Sequence, residues 1–279
     1  MKKLMLPAAL VLAVLVALAA PPAAHAARGV TVKGSDTMVI LAQRWAEDYM
    51  KKNPSKKVQV TGGGSGTGIA ALINGTTDIA DASRAIKVEE VAKVRERFNV
   101  VPTETPVAKD GVAIYVNDAN PVAQLTPEQL KGIYMGDVTN WKQVGGNDAP
   151  IVLYSRENSS GTYVFVKEHV LKNEDYASAA QTLPGTAAVV NAVAKEKNGI
   201  GYGGAAYAKG VKEVKIVGAD GQGWLPNAEN VKSGKYPLSR PLFMYTRGSP
   251  SGDTKAFIDF CLSPAGQAIV TQVGYYPIK

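Results

Sequence analysis

The chain has 279 residues, a formal charge of +7 and a hydrophobic fraction of 46%, enough for one large or two smaller domains with real cores. Its single cysteine, Cys261, excludes an internal disulfide, and two histidines, His25 and His169, leave little for a histidine-based catalytic or metal centre. Charged residues are 20% of the chain and interspersed; with no basic helix and no aromatic interleaving, nucleic acid is not an expected partner.

In chain order, Lys2 and Lys3 precede an apolar run from Leu4 to Ala20, Pro21-Pro22 ends it, and Ala24-His25-Ala26 has the small-x-small form of a cleavage site. Residues 1–26 therefore read as a secretory signal peptide. No cysteine stands near the cleavage site, so lipid attachment there is excluded, and cleavage leaves His169 as the one histidine. Val30 to Lys33 then reads as a strand, Met38 to Lys52 as an amphipathic helix, Val58 to Thr61 as a strand, Gly68 to Ile73 as a short helix and Asp78 to Ala82 as a strand leading to Ser83-Arg84. A charged helix follows over Val88 to Phe98, with strands over Val100 to Glu104 and Gly111 to Val116.

The chain changes character around Asn117 to Pro121. Thr126 reads as an N-cap, with Pro127 at the first helical position and Glu128 in the first turn. A loop around Trp141 leads to a strand over Ile151 to Tyr154 and a helix over Tyr163 to Val170. Pro184-Gly185-Thr186 opens a helix over Ala187 to Lys197, Gly199 to Gly204 is a short strand and turn, and Gly218 to Tyr236 a polar surface excursion. Pro237 to Thr246 is extended, and helices over Thr254 to Leu262 and Ala265 to Val273 close the chain. Cys261, in an apolar helical pattern, reads as a buried structural thiol. The alternation of strand and helix predicts an α/β fold with a mainly parallel sheet, whose ligands sit at the carboxyl ends of strands.

Three turns at such ends have the chemistry of an oxyanion site. They are Gly34-Ser35-Asp36-Thr37, Thr61-Gly62-Gly63-Gly64-Ser65-Gly66-Thr67-Gly68, and Ser155-Arg156-Glu157-Asn158-Ser159-Ser160-Gly161-Thr162. In each, free N–H groups of a helix's first turn and nearby hydroxyls converge, and Arg156 adds a planar charged fork suited to a tetrahedral anion such as phosphate. The glycine turn lacks the lysine of a nucleotide P-loop and the dinucleotide fingerprint. Each residue also has a plainer reading: Arg156 pairing with a surface carboxylate, Asp36 capping the following helix, Arg84 in a structural salt bridge, Trp141 and Tyr202 in packing.

Gly34-Ser35-Asp36-Thr37-Met38, Gly64 to Gly68, Asp110-Gly111, Leu125 to Leu130 with Trp141, Arg156 to Thr162, Tyr236 to Leu242 and Gly274-Tyr275-Tyr276-Pro277 occur in this order across the whole mature chain. Together they resemble the phosphate-binding proteins of bacterial ABC phosphate uptake systems. The resemblance implies an α/β, two-lobed periplasmic binding protein fold with two hinge crossovers, near Tyr115 to Asp118 and Arg240 to Leu242. One lobe would be residues 27–115 plus 241–279, the other 116–240. It implies a periplasmic monomer that holds inorganic phosphate without cofactor or metal and delivers it to the permease subunits of an ABC transporter. Carried over by position, the phosphate ligands would be Thr37, Met38, Ser65, Ser83, Arg84, Arg156, Ser160, Gly161 and Thr162. Known members carry a proton-accepting aspartate in the segment of Ser83-Arg84, and this chain departs there with Arg84 near that position, so Asp36, Asp81 and Asp110 are the candidate acceptors.

Three function classes frame this expectation. A solute-binding protein for phosphate, or for another tetrahedral oxyanion, needs donors and a hinge but no reactive group. An exported phosphoesterase or serine hydrolase needs a general base or metal ligands, which the histidine count does not favour. An adhesion or structural protein leaves three anion turns unexplained.

Overall fold

The computed structural model describes residues 29–278, and the signal peptide read over residues 1–26 lies outside them. β1 (Val30–Gly34), α1 (Val39–Lys52), β2 (Val58–Thr61), α2 (Ser65–Asn74), β3 (Ile79–Ala82) and α3 (Val88–Phe98) lead into the long β4 (Thr103–Val116). Next come β5 (Gln124–Leu125), α4 (Pro127–Met135), β6 (Val152–Arg156), α5 (Gly161–His169), β7 (Gln181–Leu183), α6 (Thr186–Lys195), β8 (Gly199–Gly204), β9 (Lys212–Val217), β10 (Gly223–Trp224) and α7 (Ala228–Lys232). β11 (Ser239–Thr246), α8 (Gly252–Leu262) and α9 (Pro264–Val273) end the chain. No helix among the described residues is long and apolar enough to cross a membrane.

Local chemistry accounts for several of these boundaries. Thr126 Oγ1 accepts from Gln129 N–H at 3.1 Å while Gln129 Oε1 accepts from Thr126 N–H at 2.9 Å, a capping box with Pro127 in the first turn of α4. α1 turns Leu41, Ala42, Trp45, Ala46 and Tyr49 inward, and each fully buried large side chain contributes roughly 1.5–3 kcal/mol by leaving water. α2 starts at Ser65, three residues before the predicted start. The glycines read as a turn are partly its first turn, and a Cβ on Gly68 would overlap the Lys33 carbonyl of β1, so a larger residue there would push α2 off the strand.

The main sheet runs β2-β1-β3-β11-β4-β8-β6-β7. Along this order β1 pairs parallel with β2 and β3, and β6 with β7 and β8, while the expectation of a mainly parallel sheet did not include its antiparallel centre, where β11 runs antiparallel to both β3 and β4, and β4 to β8. The two strands read over Val100 to Glu104 and Gly111 to Val116 are one, β4: the register shift between Leu242 and Phe243 leaves Val107 as the extra residue beside Pro106, and Gly111 keeps its place opposite Ser239. β9, which pairs with β4 from the far side, was not expected.

β4 and β11 carry the chain between two packed halves. Val107 and Ala108 of β4 pack with β1, α1, α8 and α9, whereas Val112, Ile114 and Val116 pack with α4, α5 and β9. Leu238 packs with the second group, and Leu242 and Met244 with the first. Trp141 and Tyr202 are core residues of the second half, as expected, and Cys261 is buried in the first.

Asp81 is an exception inside the first half. It stands on the β3 face of Ile79, which packs into that core, and its Oδ1 has no partner among the described residues. Burial pushes its carboxyl well above the usual range. A folded pKa above the unfolded one gives stability that is complete below about pH 4 and lost as pH rises toward the folded value. Asp81→Asn is therefore expected to gain stability relative to the parent between about pH 4 and about pH 8, which chemical denaturation at the two ends of that range measures; equal pH slopes would contradict it.

Candidate functional site

The three anion turns meet where the halves face each other. Gly34 (φ +149°) passes so close to Asp81 that a Cβ would overlap its carbonyl oxygen. Ser35 N–H donates to Asp81 O at 2.9 Å, which sets the turn that delivers Thr37, 1% exposed, to the start of α1. Gly64 (φ +90°) passes the backbone of the opposite half, where a Cβ would lie 2.5 Å from Ser159 O, and Gly66 N–H donates to that carbonyl at 2.8 Å. Ser160 caps α5, its Oγ accepting from Tyr163 N–H at 3.2 Å. Gly161 and Thr162 follow in the first turn, where N–H groups have no acceptor within the helix.

Four hydroxyls and one guanidinium converge there. Thr37 Oγ1 and Thr162 Oγ1, from opposite halves, are 2.9 Å apart. Ser65 Oγ accepts from Ser83 N–H at 3.0 Å and lies 3.3 Å from Ser83 Oγ. Arg240 donates to Thr162 Oγ1 at 2.9 Å, to Ser83 O at 2.9 Å and to Thr37 Oγ1 at 3.5 Å. The remaining edge of its guanidinium is held by Asp110 Oδ2, at 2.8 and 3.0 Å. Register explains this pair: Arg240 and Asp110 are directly opposite on β11 and β4, where the chain crosses between halves. Phe165 lies under the guanidinium, 5.2 Å from ring centroid to Cζ.

Arg156 borders the cluster rather than entering it. Its Nη2 donates to Asp36 Oδ2 at 2.8 Å, its Nε to Glu157 Oε2 at 3.0 Å and its Nη1 to Thr186 Oγ1 at 2.9 Å. Burial works to raise the Glu157 carboxyl, but the Arg156 hydrogen bond and charge outweigh it and hold the group below its usual range. Asp110, with no exposed surface, is raised by burial against the opposing pull of Arg240.

Of the residues expected to hold an anion, the structure brings together Thr37, Ser65, Ser83, Ser160, Gly161 and Thr162. Arg84 is not among them: its Nη1 and Nη2 clamp Glu90 of α3 at 2.8 and 2.7 Å, because Glu90 also closes the first turn of that helix through Lys87 N–H. Met38 N–H already donates to Ser35 O at 3.0 Å. Among the candidate acceptors, Asp110 reaches the cluster through Arg240, Asp36 lies against Arg156, and Asp81 is on the core face of β3. Arg240 was read as part of the Tyr236 to Leu242 stretch and of a crossover, with no ligand role. Its signal in the sequence was a lone arginine entering a buried strand, which cannot name its partner 130 residues away.

A family model described as a PBP superfamily domain matches residues 19–265. The chain is 35% identical over 263 residues to the phosphate-binding protein PstS of Pseudomonas aeruginosa, covering 88% of this chain and 81% of that one. Among solved structures it is similar to a putative phosphate ABC transporter substrate-binding protein with bound phosphate from Clostridium perfringens, with a TM-score of 0.82, 34% identity and coverage of 90% and 100%. It is also similar to an ABC-type phosphate transport receptor from Vibrio cholerae, with a TM-score of 0.71, 33% identity and coverage of 88% and 99%.

Proposed function

Because the chain belongs to the PBP superfamily and, within it, to the phosphate-binding proteins, we infer that it binds inorganic phosphate for an ABC-type transporter. The observation that carries this reading is the meeting of groups from both halves around the buried Arg240 guanidinium, which donates to the Thr162 and Thr37 hydroxyls and to the Ser83 carbonyl, while the Ser65 and Ser83 hydroxyls stand together beside Gly161. Such an array of hydroxyls, helix-start N–H groups and a guanidinium suits a desolvated tetrahedral anion, and the one carboxylate beside it, Asp110, is held by Arg240. The protein acts as a monomeric binder without turnover. It works in the periplasm after export and hands its ligand to permease subunits at the inner membrane.

In this two-lobed fold the hinge reading is Lys109–Gly111 with Ser239–Pro241, supported by Val107 and Ala108 of β4 packing in the first half and Val112 in the second. The anion takes hydroxyls from Thr37, Ser65, Ser83, Ser160 and Thr162, N–H groups from Gly161 and Thr162, and charge from Arg240, with Arg156 at the border. Titration calorimetry of the mature chain should give one phosphate per chain with Kd micromolar or tighter, about −8 kcal/mol or better. Heat with another oxyanion but none with phosphate would reassign the substrate.

Asp110 is the acceptor for a proton on phosphate, since its burial raises its proton affinity and Arg240 ties it to the cluster. Sulfate at neutral pH has no proton to offer and would set oxygen lone pairs against the carboxylate. Asp110→Asn keeps an oxygen for Arg240 and should shrink the phosphate-to-sulfate affinity ratio by about tenfold. An unchanged ratio moves the acceptor elsewhere.

A further inference from the structure

Three hydrogen bonds meet on Asp36, and two of them come from the opposite half. Its Oδ1 accepts from Gly63 N–H at 2.8 Å, which ties the carboxylate to the glycine turn of its own half. Its Oδ2 accepts from Arg156 Nη2 at 2.8 Å, and its backbone carbonyl from Tyr207 Oη at 2.7 Å. Glu157 and Thr186 hold the rest of the Arg156 guanidinium within the second half, so it meets Asp36 as a rigid arm. Among the described residues, Arg156–Asp36 is the one ion pair joining the halves outside the crossing strands.

Asp36 is not the cap of the helix that follows it. The N-cap of α1 is Met38, with no side-chain capping hydrogen bond. The turn opposite is shaped around the carboxylate instead, since a Cβ on Gly62 would overlap Asp36 Oδ1. Both carboxylate oxygens and the backbone carbonyl are engaged, and the side chain is 17% exposed, at the rim of the cleft and outside the hydroxyl cluster. Burial pushes the Tyr207 phenol up to about 12, so it stays a donor at neutral pH.

We propose that Asp36 is a positioning residue that latches the two halves over the anion through Arg156 and Tyr207, and so sets how slowly the anion leaves rather than which anion is chosen. This rests on the reading that phosphate lies between the halves. Release requires the halves to part, which breaks both contacts; without ligand the latch holds part of the population closed, and the anion enters through the open part, in which neither contact is made. The latch therefore acts on the dissociation rate, where most affinity differences between related complexes reside.

The test uses the full mature chain as the parent, Asp36→Asn and Tyr207→Phe, with stopped-flow measurement of phosphate association and dissociation and small-angle scattering of the ligand-free proteins. Asp36→Asn is expected to raise the phosphate dissociation rate about tenfold, with the association rate and the phosphate-to-sulfate ratio within about twofold of the parent. Tyr207→Phe should shift the same rate in the same direction by less, and Asp36→Asn should enlarge the ligand-free radius of gyration. An unchanged dissociation rate in both variants overturns the latch, and so does a changed phosphate-to-sulfate ratio in Asp36→Asn, which would put the carboxylate on the anion. If the parent binds no phosphate, the functional reading falls separately and scattering decides the latch: an unchanged radius of gyration in Asp36→Asn overturns it.

Discussion

Arg240→Ala is expected to cost the fold about 3–5 kcal/mol, the usual loss when one partner of a buried ion pair is removed, and to abolish phosphate binding with it. The Asp110 and Arg240 side chains are 0% and 3% exposed, so water cannot take over the guanidinium's two hydrogen bonds. Asp110 is already raised by burial, and without the opposing pull of Arg240 its carboxyl rises further. A carboxyl with a raised folded pKa contributes stability that is complete below its unfolded pKa and lost as pH climbs toward the folded one. The deficit of the variant should therefore be small near about pH 4 and large near about pH 8. Denaturant titrations at both values measure this. Adding Asp110→Asn should recover most of the stability but not the binding, which separates the structural part of the buried pair from the anion contact proposed for Arg240. Parent-like unfolding of Arg240→Ala at neutral pH would mean that the pair does not hold the crossing strands together.

Gly161→Ala should do the reverse and lose binding while keeping the fold. A Cβ at this position would lie 2.7 Å from Ser83 Oγ and closer still to Ser65 Oγ, both in the opposite half. Within its own half the added methyl suits a helical position, so thermal stability should equal the parent's or exceed it by about 0.5–1 kcal/mol. Closure around the anion, however, would need the Ser65 and Ser83 segments to retreat. A loss of at least about a hundredfold in phosphate affinity is expected, roughly 3 kcal/mol, read by calorimetry beside a melting curve. Parent-like affinity in a well-folded variant would show that the halves do not approach this closely when the anion is bound.

Much of this site was legible in the sequence because its donors are local. Ser160, Gly161 and Thr162 lie in one helix start, Thr37 in another and Ser65 in a third, and capping chemistry acts over three or four residues, as Thr126 and Gln129 also show. The order of these turns along the chain carried the resemblance that the family match then established. Strand-helix alternation likewise gave the α/β class and most element positions.

The partners of the charged residues and the direction of the central strands were decided only by tertiary structure. Arg84 and Arg240 are each a lone arginine beside a serine, yet one turns onto a nearby helix and the other enters the cleft. A local partner, Glu90, is six residues from Arg84, while Arg240 meets Asp110 only because β11 and β4 pair in one register across 130 residues. The antiparallel pairing of those crossing strands is equally invisible in periodicity, since a buried strand shows the same apolar run whichever way its neighbour points. Sequence by itself determined which residues could donate to an anion, because hydroxyls and helix starts are properties of short segments. Which arginine stands among them, and which carboxylate joins the halves at Asp36, followed from long-range register and burial, which select ion-pair partners by distance in space.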